Sequence, residues 1–213
     1  MDMLNQFKAH GGQRAVIAGT CFEYEFGEPL LNEDTSPSNA NNLYGQCKNA
    51  LREQVAAWSE DNDLPCAWGR IFYLYGPQEY ERRLVASVVN HLLKGEEAPC
   101  SEGNQVRDFM HVQDVADAFT AVLASDVTGT INIASGADNT IRNVVDKISE
   151  FTGNADKLNF GAFQPRAGDP DSVLGDTTKM QEQVGWAPKY NLHHGIEDTV
   201  NWWRDKLSAE GVI

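Results

Sequence analysis

Short apolar segments alternate with amphipathic helical segments along almost the whole chain. Residues 14–18 are apolar enough to form a buried strand, and an apolar stripe at helical spacing predicts a helix over residues 41–60. The alternation continues with a strand and turn at 64–77, a helix at 80–94 and further pairs towards residue 207. Strands that alternate with helices predict an α/β fold with a mostly parallel, helix-covered sheet.

Composition narrows the classes of partner. The chain has 213 residues, 41% of them hydrophobic, which is enough for a substantial core. Its formal net charge of −14 argues against nucleic acid or an anionic membrane as the main partner, because both would repel it. No apolar run reaches the ~20 residues needed to span a bilayer, and the N-terminus lacks a signal-peptide core.

The cysteines bear on compartment and metal content. Cys21, Cys47, Cys66 and Cys100 are widely spaced, with no C-x-x-C pair. This spacing fits neither a zinc site nor a disulfide framework. We therefore expect a reducing, cytoplasmic setting and no metal.

One pair of residues suggests proton-transfer chemistry. Tyr44 and Lys48 are four residues apart near the start of the predicted 41–60 helix, so the phenol and the ammonium emerge on one face. A cation beside a phenol stabilises the phenolate, which lets tyrosine act as acid and base. By themselves the two residues more often indicate a solvated helix face, because this spacing is common on amphipathic helices.

Further motifs occur in a fixed order around this pair. Thr20 ends the first predicted strand, at the sheet edge where ligands bind in open α/β folds. The other segments are Arg70-x-x-x-x-Tyr75-Gly76-Pro77, Arg107-Asp108-Phe109-x-His111-Val112-x-Asp114-Val115-Ala116, Asn132-Ile133-Ala134-Ser135-Gly136 and Gly185-Trp186-x-Pro188. Together they resemble the nucleotide-sugar epimerase and dehydratase branch of the extended short-chain dehydrogenase/reductase family, over nearly the whole chain.

The resemblance implies roles for individual residues. Tyr44 would exchange the proton of a sugar hydroxyl, Thr20 would hydrogen-bond that hydroxyl, and Lys48 would hold the nicotinamide ribose of NAD or NADP. Arg70 would lie at the cofactor. A strand-end cap is the alternative role for Thr20.

The same resemblance implies substrate contacts. Arg107 and Arg166 match positions that hold the diphosphate of a nucleotide-linked sugar, where a guanidinium suits phosphate oxygens. Tyr73 occupies the place of an asparagine that often meets these phosphates in the family. A surface ion pair is the alternative for either arginine.

Besides Tyr73, the chain departs from the family in two further places that affect its chemistry. The family's opening strand and G-x-x-G-x-x-G turn, which receive the pyrophosphate, are missing, and residues 1–43 leave no room for them. Binding of the dinucleotide is therefore not assured for this chain. In addition, Thr20-Cys21-Phe22 replaces the Thr-Asp-Glu run of the sugar 4,6-dehydratases, so elimination of water is disfavoured.

These features define the expected protein. We expect a partial Rossmann-like parallel sheet with helices on both faces and a small C-terminal α/β substrate lobe. Residues 1–78 and 107–135 would form the remainder of the dinucleotide-binding domain, and 79–106 with 136–213 the substrate lobe. The expected function is an NAD(P)-dependent nucleotide-sugar epimerase or ketoreductase.

The alternative is a truncated, catalytically silent module that binds sugar nucleotides or needs a complementary N-terminal part. The expected partner is a nucleoside-diphosphate sugar. We also expect association with a second copy or with a complementary fragment, because sheet strands would otherwise lack neighbours.

Overall fold

The computed structural model describes residues 1–165 and 167–213, and the chain divides into two compact units. The first unit comprises Met1–Phe72, Val115–Gly136 and Leu174–Ala187. The second comprises Tyr73–Asp114, Ala137–Val173 and Pro188–Ile213.

Helices and strands alternate within the described residues. The α-helices are α1 (Asp2–Ala9), α2 (Leu43–Asp61), α3 (Leu84–Leu93), α4 (Val112–Ala124), α5 (Ile141–Thr152) and α6 (Leu192–Ala209). The strands are β1 (Ala15–Thr20), β2 (Cys66–Ile71), β3 (Tyr73–Tyr75), β4 (Ala98–Cys100), β5 (Val106–Arg107), β6 (Phe109–His111), β7 (Gly129–Ile133), β8 (Asn139–Thr140), β9 (Leu158–Phe160) and β10 (Ser172–Val173).

The first unit is built on a parallel sheet with the strand order β1-β2-β7. On one face, Ile17 of β1 and Trp68 of β2 pack in a cluster with Leu4 of α1 and Val55 of α2. On the other face, Phe119 of α4 lies so close to Gly69 that a Cβ there would meet its ring at 2.8 Å. Helices therefore cover both faces of a parallel sheet, which confirms the predicted fold class.

Helix α2 begins where its sequence provides a cap. The Asn42 side chain accepts a hydrogen bond from the Gly45 N–H at 2.9 Å, as expected of an N-cap residue. Gly45 itself packs directly on the chain that follows β1, because a Cβ there would overlap the Phe22 carbonyl oxygen and lie 2.7 Å from the Ala40 Cβ. The start of α2 is thus held against the carboxyl end of β1.

Replacing Gly45 by alanine should destabilise the first unit despite the better helix propensity of alanine. The propensity gain is about 1 kcal/mol, whereas forcing a methyl group into a backbone carbonyl costs ~1–3 kcal/mol or more. We expect a lower thermal unfolding midpoint for Gly45→Ala. The exposed neighbour Cys47→Ala serves as the control, and an unchanged midpoint for Gly45→Ala would contradict this packing.

The second unit has short strands and a helical core. Strands β3 and β6 pair in parallel, as do β4 and β9, and β5 lies between β10 and β8. Helices α3, α5 and α6 pack together through fully buried apolar residues: Val89, Leu92, Val145, Ile148, Ile196 and Val200.

The predicted strand at 64–77 is wrong as a single strand. The Phe72 N–H donates to the Ile133 carbonyl in the first unit, whereas the Tyr73 N–H donates to the Asp108 carbonyl in the second. The chain therefore changes its pairing partner between these two residues, and β2 and β3 belong to different sheets. An apolar run does not reveal such a change, because both strands are apolar.

The loop before α3 contains a carboxyl group with an unusual titration. Glu79 accepts a hydrogen bond from the Ala86 N–H at 3.3 Å, and burial raises its pKa to about 7, partly offset by Arg83. The folded chain therefore keeps a proton on Glu79 at pH values where the unfolded chain has lost it.

Stability should accordingly fall as the pH rises from about 4.5 to about 7. We expect Glu79→Gln to remove roughly 1–2 kcal/mol of this fall, after discounting for solvent around the half-buried group. The measurement is the free energy of unfolding at pH 5.5 and pH 8, with the exposed Glu81→Gln as control. A wild-type pH dependence retained in Glu79→Gln would contradict the assignment.

Among the described residues, none of the helices combines the length and the apolar character of a membrane span. The same residues contain no group of three or more histidine, cysteine, aspartate or glutamate side chains placed to hold a metal ion. The four cysteines are free thiols, and only Cys47 is exposed.

Candidate active site at the carboxyl end of strand β1

Thr20 is the last residue of β1 and caps the short 3-10 helix Cys21–Glu23 that follows. Its Oγ1 accepts a hydrogen bond from the Phe22 N–H at 3.3 Å, and its own N–H donates to Glu23 Oε1 at 2.9 Å. The two bonds form a capping box. The hydroxyl is thereby fixed in position, and its proton is still available for donation.

Tyr44 and Lys48 lie in the first turns of α2 and contact residues on either side of Thr20 in the chain, Phe22 and Ala18. The Tyr44 side chain is 55% exposed, and its ring lies edge-on to Phe22 with centroids 6.4 Å apart. Lys48 Nζ donates to the Ala18 carbonyl at 3.0 Å. The structure therefore brings the three predicted catalytic residues together around the end of β1.

The arrangement provides the groups needed for proton exchange with a bound hydroxyl. An exposed phenol can meet a ligand, and an ammonium one helical turn away can stabilise its phenolate. Lys48 uses one of its three N–H donors on Ala18, which leaves two for a ligand.

A buried ion pair between Glu23 and Arg70 holds the 3-10 helix that follows Thr20. Glu23 is fully buried, and its carboxylate accepts hydrogen bonds from Arg70 Nε at 2.8 Å and from Trp68 Nε1 at 2.9 Å. Arg70 also donates to Ser38 Oγ at 2.6 Å, and its guanidinium lies 4.0 Å from the centre of the Tyr24 ring.

Arg70 is therefore enclosed by protein groups, with 1% of its surface exposed. Its observed contacts indicate that Arg70 positions Glu23. A contact between Arg70 and a cofactor stays a prediction.

Glu23 was not singled out by sequence reasoning. The T-x-x-E spacing of Thr20 and Glu23 is the signature of a capping box and was the available signal. It was overlooked because the 3-10 helix it caps is only three residues long.

Tyr24 is a second phenol in the same unit and is chemically different from Tyr44. Its hydroxyl donates to Asn132 Oδ1 at 2.8 Å. Burial raises the pKa of Tyr24 to about 12, although the nearby Arg70 opposes this shift. Tyr24 therefore keeps its proton at neutral pH.

The predicted substrate residues lie in the second unit. Arg107 is buried, with Nη2 2.9 Å from Asp169 Oδ1 and its guanidinium 5.5 Å from the centre of the Tyr73 ring. The structure thus brings Arg107 and Tyr73 together, with Asp169 as the present counter-ion. Arg166 lies outside the described residues.

His111 and Asp114 take structural roles in the second unit. His111 stacks on Tyr190 with ring centroids 4.1 Å apart, and its Nε2 lies 3.2 Å from Asp198 Oδ2. Burial lowers the pKa of His111, and Asp198 partly offsets this effect. Asp114 accepts hydrogen bonds from the N–H groups of Lys189 and Tyr190.

Comparison with known proteins shows the family of the chain. Residues 1–134 match the model of the NAD dependent epimerase/dehydratase family. A UDP-glucose 4-epimerase of Corynebacterium glutamicum is 27% identical over 93% of this chain and 65% of its own length. A dTDP-glucose 4,6-dehydratase of Xanthomonas campestris is 28% identical over 88% of this chain and 56% of its own.

A solved structure shows the same likeness. The UDP-glucose 4-epimerase of Thermus thermophilus, in complex with NAD, matches with a TM-score of 0.84 and 26% identity over 95% of this chain and 68% of that one. The present chain thus spans less than two thirds of the two curated relatives. With its family model matched over more than half of its residues, the chain belongs to the NAD dependent epimerase/dehydratase family.

Proposed function

We propose that this chain carries the catalytic and substrate-binding residues of an NAD(P)-dependent nucleotide-sugar epimerase or ketoreductase. The observation that carries the proposal is the grouping of Thr20, Tyr44 and Lys48 at the end of β1. In this proposal the first unit is the remainder of a dinucleotide-binding domain and the second unit is the substrate lobe.

Each side chain has a role that suits its chemistry. Thr20 donates a hydrogen bond to the oxygen of a sugar carbinol and fixes it beside the phenol. The Tyr44 phenolate removes the proton from that oxygen and becomes a phenol, which returns the proton in the reverse step. Lys48 stabilises the phenolate that is present before removal and after return. Arg107, in the second unit, is by its residue type the candidate phosphate ligand of that unit, where Asp169 is its present partner.

The residues present fit one end of a dinucleotide. Tyr44 is exposed and Lys48 has two free donors, which suits the hydroxyl groups of the nicotinamide ribose. When bound, the dinucleotide supplies the hydride acceptor and donor. A pyrophosphate cradle needs a glycine-rich turn between a strand and a helix, whereas β1 leads into the 3-10 helix Cys21–Glu23.

The position of Glu23 supports epimerisation or ketone reduction over dehydration. Elimination of water needs a carboxyl group that reaches the substrate. Glu23, the first carboxylate after Thr20, is fully buried and bonded to Arg70 and Trp68. It is therefore not placed to act on a sugar.

The proposal is tested by incubating the chain with UDP-glucose and NAD or NADP and following product formation. One arm contains the chain alone. The other adds the part of the Corynebacterium glutamicum epimerase outside the 65% that matches this chain. Conversion in at least one arm is the expected result, and its absence from both arms, with the chain folded, would contradict the proposal.

The second candidate function is a module that acts only with a complementary polypeptide segment, and the free edge of β1 favours it. The Ala15 N–H donates to the Pro65 carbonyl of the neighbouring strand segment. In a parallel pair the backbone groups of alternate residues face opposite sides, so those of Val16, Ala18 and Thr20 point away from β2.

The two edges of this sheet are protected differently. At the outer edge of β7, Lys179 Nζ donates to the Thr130 carbonyl and Glu33 Oε1 accepts from the Asn132 N–H, both at 2.7 Å. At the edge of β1, Lys48 covers only the Ala18 carbonyl. Within the part of the chain that is described, the Val16 N–H and C=O and the Ala18 N–H have no hydrogen-bond partner.

The free edge predicts a distinctive pattern of hydrogen exchange. The amides of Val16 and Ala18 should exchange much faster than those of Ile17 and Gly19, which are bonded to β2. Adding a complementary segment that pairs with β1 should protect Val16 and Ala18 selectively. Equal protection of all four amides in the isolated chain at low concentration would contradict a free edge.

A further inference from the structure

Three aromatic rings line the candidate site in the first unit. Phe22 lies edge-on to Tyr44, with centroids 6.4 Å apart and planes at 67°. Phe26 lies edge-on to Phe22 at 5.7 Å and 75°. We call Phe22, Phe26 and Tyr44 the aromatic wall, and such edge-to-face pairs are a favoured and specific packing.

The position of Phe22 is fixed relative to the reacting groups. Its N–H donates to Thr20 Oγ1, and its carbonyl oxygen packs against the backbone of Gly45. Thr20 and Tyr44 are the residues proposed to hold the sugar oxygen. A sugar bound to them therefore has the ring of Phe22 as an immediate neighbour.

Of the carboxylates close to Phe22 in sequence, Glu23 does not provide a polar surface for the sugar, whereas Glu25 is exposed. Glu23 is fully buried and bonded to Trp68 and Arg70. Glu25 accepts a hydrogen bond from Asn39 Nδ2 at 3.0 Å. The ring in contact with Tyr44 is thus that of Phe22, and the ring of Phe26 extends this aromatic surface.

We propose that the aromatic wall makes the site selective for nucleotide-linked 6-deoxyhexoses, an inference that rests on the proposed function. A hydroxymethyl group placed against a benzene ring loses hydrogen bonds to water without replacing them, whereas a methyl group does not. A methyl group is the largest apolar substituent of a common hexose and packs on the rings of Phe22 and Phe26. One such group in an apolar pocket discriminates by roughly 10- to 200-fold.

The test measures dissociation constants by calorimetry for matched pairs of ligands on the intact chain. The pairs are UDP-glucose with UDP-6-deoxyglucose and dTDP-glucose with dTDP-6-deoxyglucose. In at least one pair we expect the deoxysugar to bind about 10-fold tighter or more. The ratio should fall towards one in Phe22→Ser and stay largely intact in Phe22→Leu, which keeps an apolar side chain.

The control variant is Phe7→Ser, which removes a partly exposed phenylalanine from α1 in the same unit and should leave the ratio unchanged. Circular dichroism establishes whether each variant is folded. If Phe22→Ser does not fold, the ratio of dissociation constants measured for the wild type still decides the test. Equal or tighter binding of the hydroxylated sugars by the wild type overturns the selectivity and leaves the proposed function standing. No binding of any of the four ligands overturns the proposed function as well.

Discussion

Glu23→Ala should cost the first unit about 3–5 kcal/mol of unfolding free energy, because it leaves the Arg70 guanidinium buried without its counter-ion. The wild-type carboxylate also accepts hydrogen bonds from Trp68 Nε1 and the Thr20 N–H. Denaturant unfolding monitored by tryptophan fluorescence measures the loss, since Trp68 contacts Glu23 directly.

Two further variants separate the ion pair from general surface effects. Glu53→Ala removes an exposed carboxylate whose partner is Arg52, and it should change stability by less than about 1 kcal/mol. The double variant Glu23→Leu with Arg70→Met replaces the pair by apolar groups and should be more stable than Glu23→Ala. A Glu23→Ala protein as stable as Glu53→Ala would contradict a structural role for the pair.

Tyr44→Phe should lower turnover by about 10²- to 10⁴-fold, the range typical of a lost general acid or base. The substitution removes one oxygen atom and keeps the ring that contacts Phe22, so the fold should be preserved. The defect should appear mainly in kcat, because the phenol acts on the proton in the transition state. Lys48→Met should also reduce kcat, since the phenolate then lacks its cation.

Much of the first unit could be predicted from sequence because local signals and packing agree there. The helix predicted at 41–60 is observed as α2 at Leu43–Asp61, with Asn42 as its cap. Val55 and Trp58 pack in the cluster beside the sheet, whereas the other apolar residues of the helix, Leu43, Cys47, Ala50 and Leu51, are exposed. The strand predicted at 14–18 is observed as β1 at Ala15–Thr20. The grouping of Tyr44 and Lys48 follows from helical periodicity alone.

The second unit was less predictable because its pairing depends on contacts distant in sequence. The helix predicted from residue 80 starts at Leu84, since residues 80–83 form a turn and Glu79 bonds the Ala86 N–H instead. Strands β4 and β9 are three residues each and pair only with one another, which no local pattern reveals. Long-range pairing, rather than propensity, defines these elements.

The candidate site also combines residues that could be predicted from the sequence with one whose role could not. Thr20, Tyr44 and Lys48 could be found from motifs, and the structure groups them. The role of Glu23 as the partner of Arg70 could not be found in this way, because forty-seven positions separate the two residues. A motif indicates which residues are present, whereas burial decides which of them can reach a ligand.

The central claim is that Tyr44 is the proton carrier of a nucleotide-sugar enzyme, and a comparison of two tyrosine variants tests it most directly. Conversion of UDP-glucose is measured for the wild type, Tyr44→Phe and Tyr80→Phe, in the arm of the assay that supports turnover. Tyr80 is 64% exposed and belongs to the second unit, so it controls for loss of a surface phenol. We predict wild-type turnover for Tyr80→Phe and at least about 10²-fold less for Tyr44→Phe; equal turnover by the two variants would contradict the account.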